Sequence, residues 1–456
     1  MEFTSDFMWG CASAAYQIEG AYNEDGRGMS IWDIHSLNKD VVAYNENGNV
    51  ACDHYHRYKE DVQLFKQLGI KYYRFSISWT RVLPNGIGEV NEKGLQFYID
   101  LVDELLSNGI EPIVTLHHWD YPYELYKLGG WMNPASPEWF EYYTKIIVDA
   151  LSDKVKYWIT INEPQCIVGC GYYTGTHAPF VHASIIDMIT MSHNILLSHG
   201  RAVKYIRENA KISPQIGYAP TGPSFVPEDD SEEAIEEARL KTMSMKNSGF
   251  FAITWWSDPI FLGKYPDDAY ELFGEAMIKP SEEDMKLISQ PLDFYAVNIY
   301  YSSSIRGDGS TYETNSFQGA PKSTMNWRVD EIVMYWSCKF LYERYKTPIL
   351  ISENGIANID WVGLNGKVED PQRIDYISRY LLCINKAMEE GIPVIGYMYW
   401  SAIDNFEWAC GYDKRFGMIY VDYQTQKRTI KESGHWYKQL IESNGEVLEQ
   451  YKMLYK

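Results

Sequence analysis

The chain has 456 residues, 45% hydrophobic and 23% charged, which is ordinary globular material and long enough to bury a large core. A formal net charge of −21 and a pI near 4.9 exclude the basic stripe that a nucleic-acid partner requires. No apolar run approaches the length of a membrane span, and no Pro-rich or Ser/Gly-rich linker or short repeat divides the chain, so residues 1–456 read as one domain.

Taken in chain order, the first residues, MEFTSDFMWG, carry neither the basic nor the apolar region of a secretion signal, and a cytoplasmic location is expected. Short apolar segments then alternate with stretches of helical period. Strands are predicted at residues 7–12, 72–76, 112–116, 158–161, 215–218, 294–298, 349–352 and 394–400, eight in all. Between the strands lie stretches such as YKEDVQLFKQLG and GLQFYIDLVDELLSNG, patterned as amphipathic helices, the latter closed by an Asn-Gly suited to a C-cap. Eight repeats of strand and helix predict a (β/α)8 (TIM) barrel with long βα loops on its active face. The acidic residues 228–240 open with capping residues and read as a solvated helix. Residues 302–328, rich in Ser, Gly, Thr and Asn, follow the sixth strand and are expected to be irregular, forming a mouth or lid on the active face. The seven cysteines are odd in number and scattered, which fits reduced thiols. Cys166 and Cys170 stand close to a candidate catalytic residue, but a lone C-x-x-x-C without further ligands supports neither a metal nor a redox centre.

Two glutamates stand where an apolar run ends: Glu163 in YWITINEP and Glu353 in TPILISENG. In parallel α/β architectures the ligand sits at the carboxyl ends of the strands, so these acids are expected to meet across one cleft. Opposed carboxylates are the apparatus of glycoside hydrolysis, one protonating the leaving oxygen and the other attacking the anomeric carbon, with about 5 Å between them if configuration is retained. Arg74, at the end of the second strand, is placed to keep a nucleophilic glutamate ionised, and that charge pushes the other glutamate toward protonation. Sugars present hydroxyls and an apolar face, so planar hydrogen-bonding groups and aromatic platforms are expected nearby. Gln17, His118, Trp119, Asn162, Trp400, Glu407 and Trp408 supply both at or near strand ends.

The ordered blocks FMWGCASAAYQIEG, ACDHYHRYKEDV, YRFSISWTRVLPNG, LHHWD, TINEP, GYYTGTHAP, ISENG and WSAIDNFEW span nearly the whole chain, and through them it resembles glycoside hydrolase family 1, the β-glucosidase family. The resemblance implies a (β/α)8 barrel with retaining chemistry and no cofactor, Glu163 as acid/base and Glu353 as nucleophile. It assigns Gln17, His118, Asn162, Glu407 and Trp408 to sugar hydroxyls and Trp400 to stacking. Arg74 and Tyr300 would contact the nucleophile, Asn298 would support the acid/base, and Trp327 would line the aglycone side. The His54-Tyr55-His56 run belongs by the same resemblance to the first helical stretch, and no metal is expected. Ile299, Ser352, Asn326, Phe180 and the Tyr-Pro-Tyr after His118-Trp119-Asp120 depart from the family pattern, leaving the catalytic groups intact but the aglycone walls open.

The expected activity is β-glucosidase action on terminal unphosphorylated glucosyl residues of small carbohydrates, cellobiose among them. Glu407 would repel a 6-phosphate and accept from free hydroxyls. Galactosidase, fucosidase or transglycosidase activity is the alternative, ahead of a 6-phospho-glucosidase or a noncatalytic sugar binder. No nucleic-acid or membrane partner is expected, and a homo-oligomer is compatible with the sequence.

Overall fold

The computed structural model describes residues 3–222, 224–305, 311–312 and 319–452. Eight parallel strands close into a barrel: β1 (Met8–Ala12), β2 (Tyr72–Ser76), β3 (Glu111–His117), β4 (Tyr157–Asn162), β5 (Gln215–Ala219), β6 (Phe294–Asn298), β7 (Ile349–Asn354) and β8 (Val394–Trp400), with β1 hydrogen-bonded to both β2 and β8. Every predicted strand is present, and those at 72–76, 294–298 and 394–400 have the predicted ends. Elsewhere the ends shift by one or two residues because polar residues such as Glu111, Asn162 and Asn354 join the backbone ladder. Side-chain polarity marks burial, whereas backbone pairing decides where a strand stops.

Alternation along the strands divides the apolar residues into two layers. Leu350 on β7 points inward with Met8, Ile113, Ile159, Phe294, Ala296 and Met398, filling the barrel below the site. Its neighbours Ile349 and Ile351 face outward, into the larger core between strands and helices. The helix Glu92–Ser107 contributes Phe97, Tyr98, Leu101, Val102 and Leu105 to that core, the stripe that its helical period predicts. It ends as expected, with Asn108 at the cap and Gly109 at a φ of +74°.

Two expectations outside the barrel are corrected in detail. Residues 228–240 do form a helix, Glu232–Thr242, whose N-cap Ser231 accepts from the Ala234 amide. It is not wholly solvated, because Ala234, Ala238 and Thr242 make a buried stripe one turn apart. The stretch 302–328 is not irregular throughout: Ser302–Ile305 pairs in parallel with Ser224–Pro227 and antiparallel with Thr311–Tyr312. Residues 306–310 and 313–318 of that stretch lie outside the described residues.

The loop after β8 is anchored from below by buried charge. Lys431 donates to Asp360 at 2.6 Å and to Asp404 at 2.7 Å, Arg373 reaches Asp360, and Arg415 reaches Asp404. Asp404 also accepts from the Gly417 amide, so the backbone leading to Glu407 and Trp408 is held on several sides.

Candidate active site

The carboxyl ends of the strands and the loops beyond them enclose a cavity of about 610 Å³. Both candidate acids reach it through irregular strand ends. The register of β4 against β5 slips between Ile159 and Asn162, and that of β7 against β6 slips between Ile351 and Glu353. Such a bulge re-aims the side chains that follow it. Glu163 then adopts a φ of +40°, a strained conformation for a residue with a side chain, and its amide is held by the Ala219 carbonyl at 2.8 Å. Two positions after Glu353 stands Gly355, where a Cβ would lie 1.8 Å from the Trp400 carbonyl oxygen, so only glycine permits this approach of the end of β7 to β8.

The two acids have different neighbours. Arg74 donates from Nη1 to Glu353 Oε1 at 2.6 Å and to the Ser352 carbonyl at 3.0 Å, while its Nη2 donates to Asn162 Oδ1 and its Nε to Thr115. Tyr300 donates its hydroxyl to Glu353 Oε2 at 2.8 Å. Both oxygens of Glu353 are thereby fixed, one by a charge-assisted bond. Glu163 has no cation beside it among the described residues. Asn298 donates to its Oε1 at 2.7 Å, and the Cys166 thiol donates to its Oε2 at 3.1 Å.

Electrostatics separate the pair in the direction these contacts dictate. Burial and the neighbouring Glu353 push Glu163 up to about 8, with Asn298 and Cys166 pulling against them. Burial also raises Glu353, but Arg74, Tyr300 and Asn298 oppose it, so Glu353 loses its proton first. Glu407 is likewise raised to about 8 by burial, Glu353 and Glu163. Three carboxyls thus share one cavity and do not all ionise together at neutral pH.

The remaining sequence-predicted residues converge on the same place. Gln17 donates to Asn405, to the Phe406 carbonyl and to Glu407, leaving its buried Oε1 without a partner among the described residues and open to a ligand hydroxyl. The Asn162 amide donates to His118 Nε2 at 3.1 Å, which leaves His118 Nδ1 unpartnered and buried. The rings of Trp400 and Trp408 lie nearly parallel to that of His118, with centroids 5.8 and 5.9 Å away. Trp119 lines the cavity with its ring, but its indole N–H is taken by the Asn162 carbonyl, so it offers a wall rather than a hydrogen bond. Trp327 packs against Tyr300 and Tyr301 on another wall. Asn162 spends its side chain on Arg74, Asn298 and His118, so it organises the network beneath the cavity rather than lining it.

Sequence reasoning did not select several lining residues: Thr221, Phe225, Asn247, Phe251, Met325 and Phe416. Phe416, eight positions after Trp408, could have been suggested by its neighbourhood. Phe225, Asn247 and Phe251 belong to the segment between β5 and β6 and carry no local signal. Cys166 and Cys170 also line the cavity, and Cys166 touches Glu163 directly. The expected run at His54 to His56 has other duties: His54 pairs with Asp61 at 2.7 Å, and His56 pairs with Asp53 and Glu24.

A family model described as Glycosyl hydrolase family 1 matches residues 1–446. The chain is 45% identical to Beta-glucosidase A of Acetivibrio thermocellus over 97% of its own length and 99% of that protein. It is 36% identical to the aryl-phospho-beta-D-glucosidase BglC of Bacillus subtilis, covering 98% of each. Among solved structures, the family 1 β-glucosidase from Thermotoga maritima superposes with a TM-score of 0.90 at 40% identity, covering 97% of this chain and 99% of that one. The same enzyme in complex with deoxynojirimycin gives a TM-score of 0.89.

Proposed function

The chain belongs to glycosyl hydrolase family 1 and is a retaining β-glucosidase, and we propose the following division of labour among its residues. Glu353 attacks the anomeric carbon while Glu163 protonates the departing oxygen, giving a covalent glucosyl-enzyme. Glu163, now a carboxylate, then takes a proton from the water that releases the sugar. The observation that carries this assignment is the asymmetry of partners: Arg74 and Tyr300 bind both oxygens of Glu353, whereas among the described residues Glu163 has an amide and a thiol. Gln17, His118, Glu407 and Trp408 read the sugar hydroxyls, Trp400 stacks on its apolar face, and Trp327 lines the side of the leaving group.

The preferred sugar is an unphosphorylated β-D-glucosyl group, cellobiose being one such substrate. None of the described residues lining the cavity is Lys or Arg. In the loop that carries Glu407, Lys414 pairs with Asp413 and Arg415 pairs with Asp404, so neither cation is directed to a sugar 6-phosphate. Galactosides and fucosides are secondary substrates, and a second sugar competes with water for the intermediate. All seven cysteines are free thiols, which supports the cytoplasm as the setting.

The test is a panel of 4-nitrophenyl glycosides with free and 6-phosphorylated sugars, run on wild type and Glu353→Gln. Turnover of the free glucoside and a loss of about 10⁴-fold or more in the variant are expected. Turnover confined to the 6-phospho substrates would refute the specificity, and an active variant would refute the site.

A further inference from the structure

Cys166 and Cys170 occupy the π-helix Cys166–Tyr173, which begins three residues after Glu163, and both side chains line the cavity beside His177. A π-turn is an uncommon element that recurs at functional sites, and here it brings one thiol to 3.1 Å from Glu163 Oε2. A thiol has a single hydrogen, and here it is spent on the Glu163 carboxyl. Cys170, burial and Glu163 push the Cys166 thiol up, so it keeps that hydrogen.

We infer that Cys166 is a positioning residue for the proton donor, its one hydrogen directed at Glu163 Oε2. Once Glu163 has given its proton to the leaving oxygen, that hydrogen bond strengthens and holds the carboxylate that must next accept a proton from water. Cys166 neither gains nor loses a proton. The inference rests on Glu163 being the acid/base.

The Cys166 hydrogen bond stabilises the ionised carboxyl. The other charged or titratable groups around this cavity, Glu353, Arg74, Glu407, Tyr300, Tyr301, His118, His177 and Cys170, are the same in every Cys166 variant. The experiment is the pH profile of kcat/KM for wild type, Cys166→Ala and Cys166→Ser, with 2,4-dinitrophenyl and alkyl glucosides. Cys166→Ala should move the basic limb up by about half a pH unit. Cys166→Ser, which keeps a donor, should retain the wild-type limb. On the alkyl glucoside, whose leaving group needs the proton, Cys166→Ala should lose about fivefold, and on the dinitrophenyl glucoside less than about twofold. A Cys166→Ala limb that stays in place or moves down, or equal losses on the two substrates, would overturn the inference while leaving the glucosidase reading standing. A wild-type basic limb that persists in Glu163→Gln would overturn the assignment of Glu163 and the inference with it.

Discussion

Replacing Glu163 by Gln should make the protein more stable at alkaline pH while removing its ability to expel poor leaving groups. Glu163 is 7% exposed, and burial followed by the charge of Glu353 pushes its carboxyl from 4.5 up to about 8. A carboxyl raised on folding favours the folded state while it is protonated. That contribution is complete below 4.5, fades as the pH climbs, and is gone above about 8. At about 1.36 kcal/mol per pH unit, the ceiling on the destabilisation is ~5 kcal/mol. Glu407 is raised to about 8 by the same neighbours, so the repulsion is shared and removing one carboxyl should return less than half of that ceiling, ~2 kcal/mol. With an unfolding entropy of about 2.1 cal/mol/K for each of the 456 residues, this is a gain of about 2 °C in Tm. Glutamine preserves the side-chain volume and the acceptor for Asn298. Scanning calorimetry of both proteins at pH 5 and pH 8.5 should therefore find little difference at the lower pH and the full gain at the higher one. A variant less stable than wild type at pH 8.5, or a difference independent of pH, would refute the argument.

Three other outcomes follow from the same geometry. Proton NMR of the reaction mixture should show β-glucose before its α-anomer accumulates, because displacement through Glu353 occurs twice; initial α-anomer would mean a single displacement. Arg74→Lys gives up the fork that binds Glu353, Ser352 and Asn162 together, so the nucleophile should hold its proton to higher pH, seen as an acidic limb of kcat/KM displaced upward with kcat reduced about 100-fold. Lys431→Met removes the cation that bridges two buried carboxylates, leaving Asp360 to Arg373 and Asp404 to Arg415 and an unbalanced cluster below the loop. Urea unfolding should then show a loss of about 3–5 kcal/mol, and no loss would mean that this cluster does not anchor the loop before Glu407.

Periodicity and strand-end chemistry made much of this molecule legible. Short apolar runs identified all eight strands because a buried parallel strand needs no contact beyond its own apolar content to betray itself. Glu163 and Glu353 could be singled out because each follows such a run. The strand Ser302–Ile305 escaped notice because its partner, Ser224–Pro227, lies far away in sequence and its own residues are polar. Phe225 and Phe251 escaped for the same reason: they are set into the wall by the path of a long connection, not by any local pattern.

What the sequence by itself determined is the barrel and the placement of its two candidate acids at strand ends, because those follow from burial and from position along one strand. Only the tertiary structure decided how the acids differ. The bonds that distinguish them run from Arg74 to Glu353 across 279 positions and from Asn298 to Glu163 across 135, and the Glu353 charge that adds to burial in raising Glu163 is equally remote along the chain. Protonation depends on distance in space and on exclusion of water, and neither is written in the order of residues along a chain.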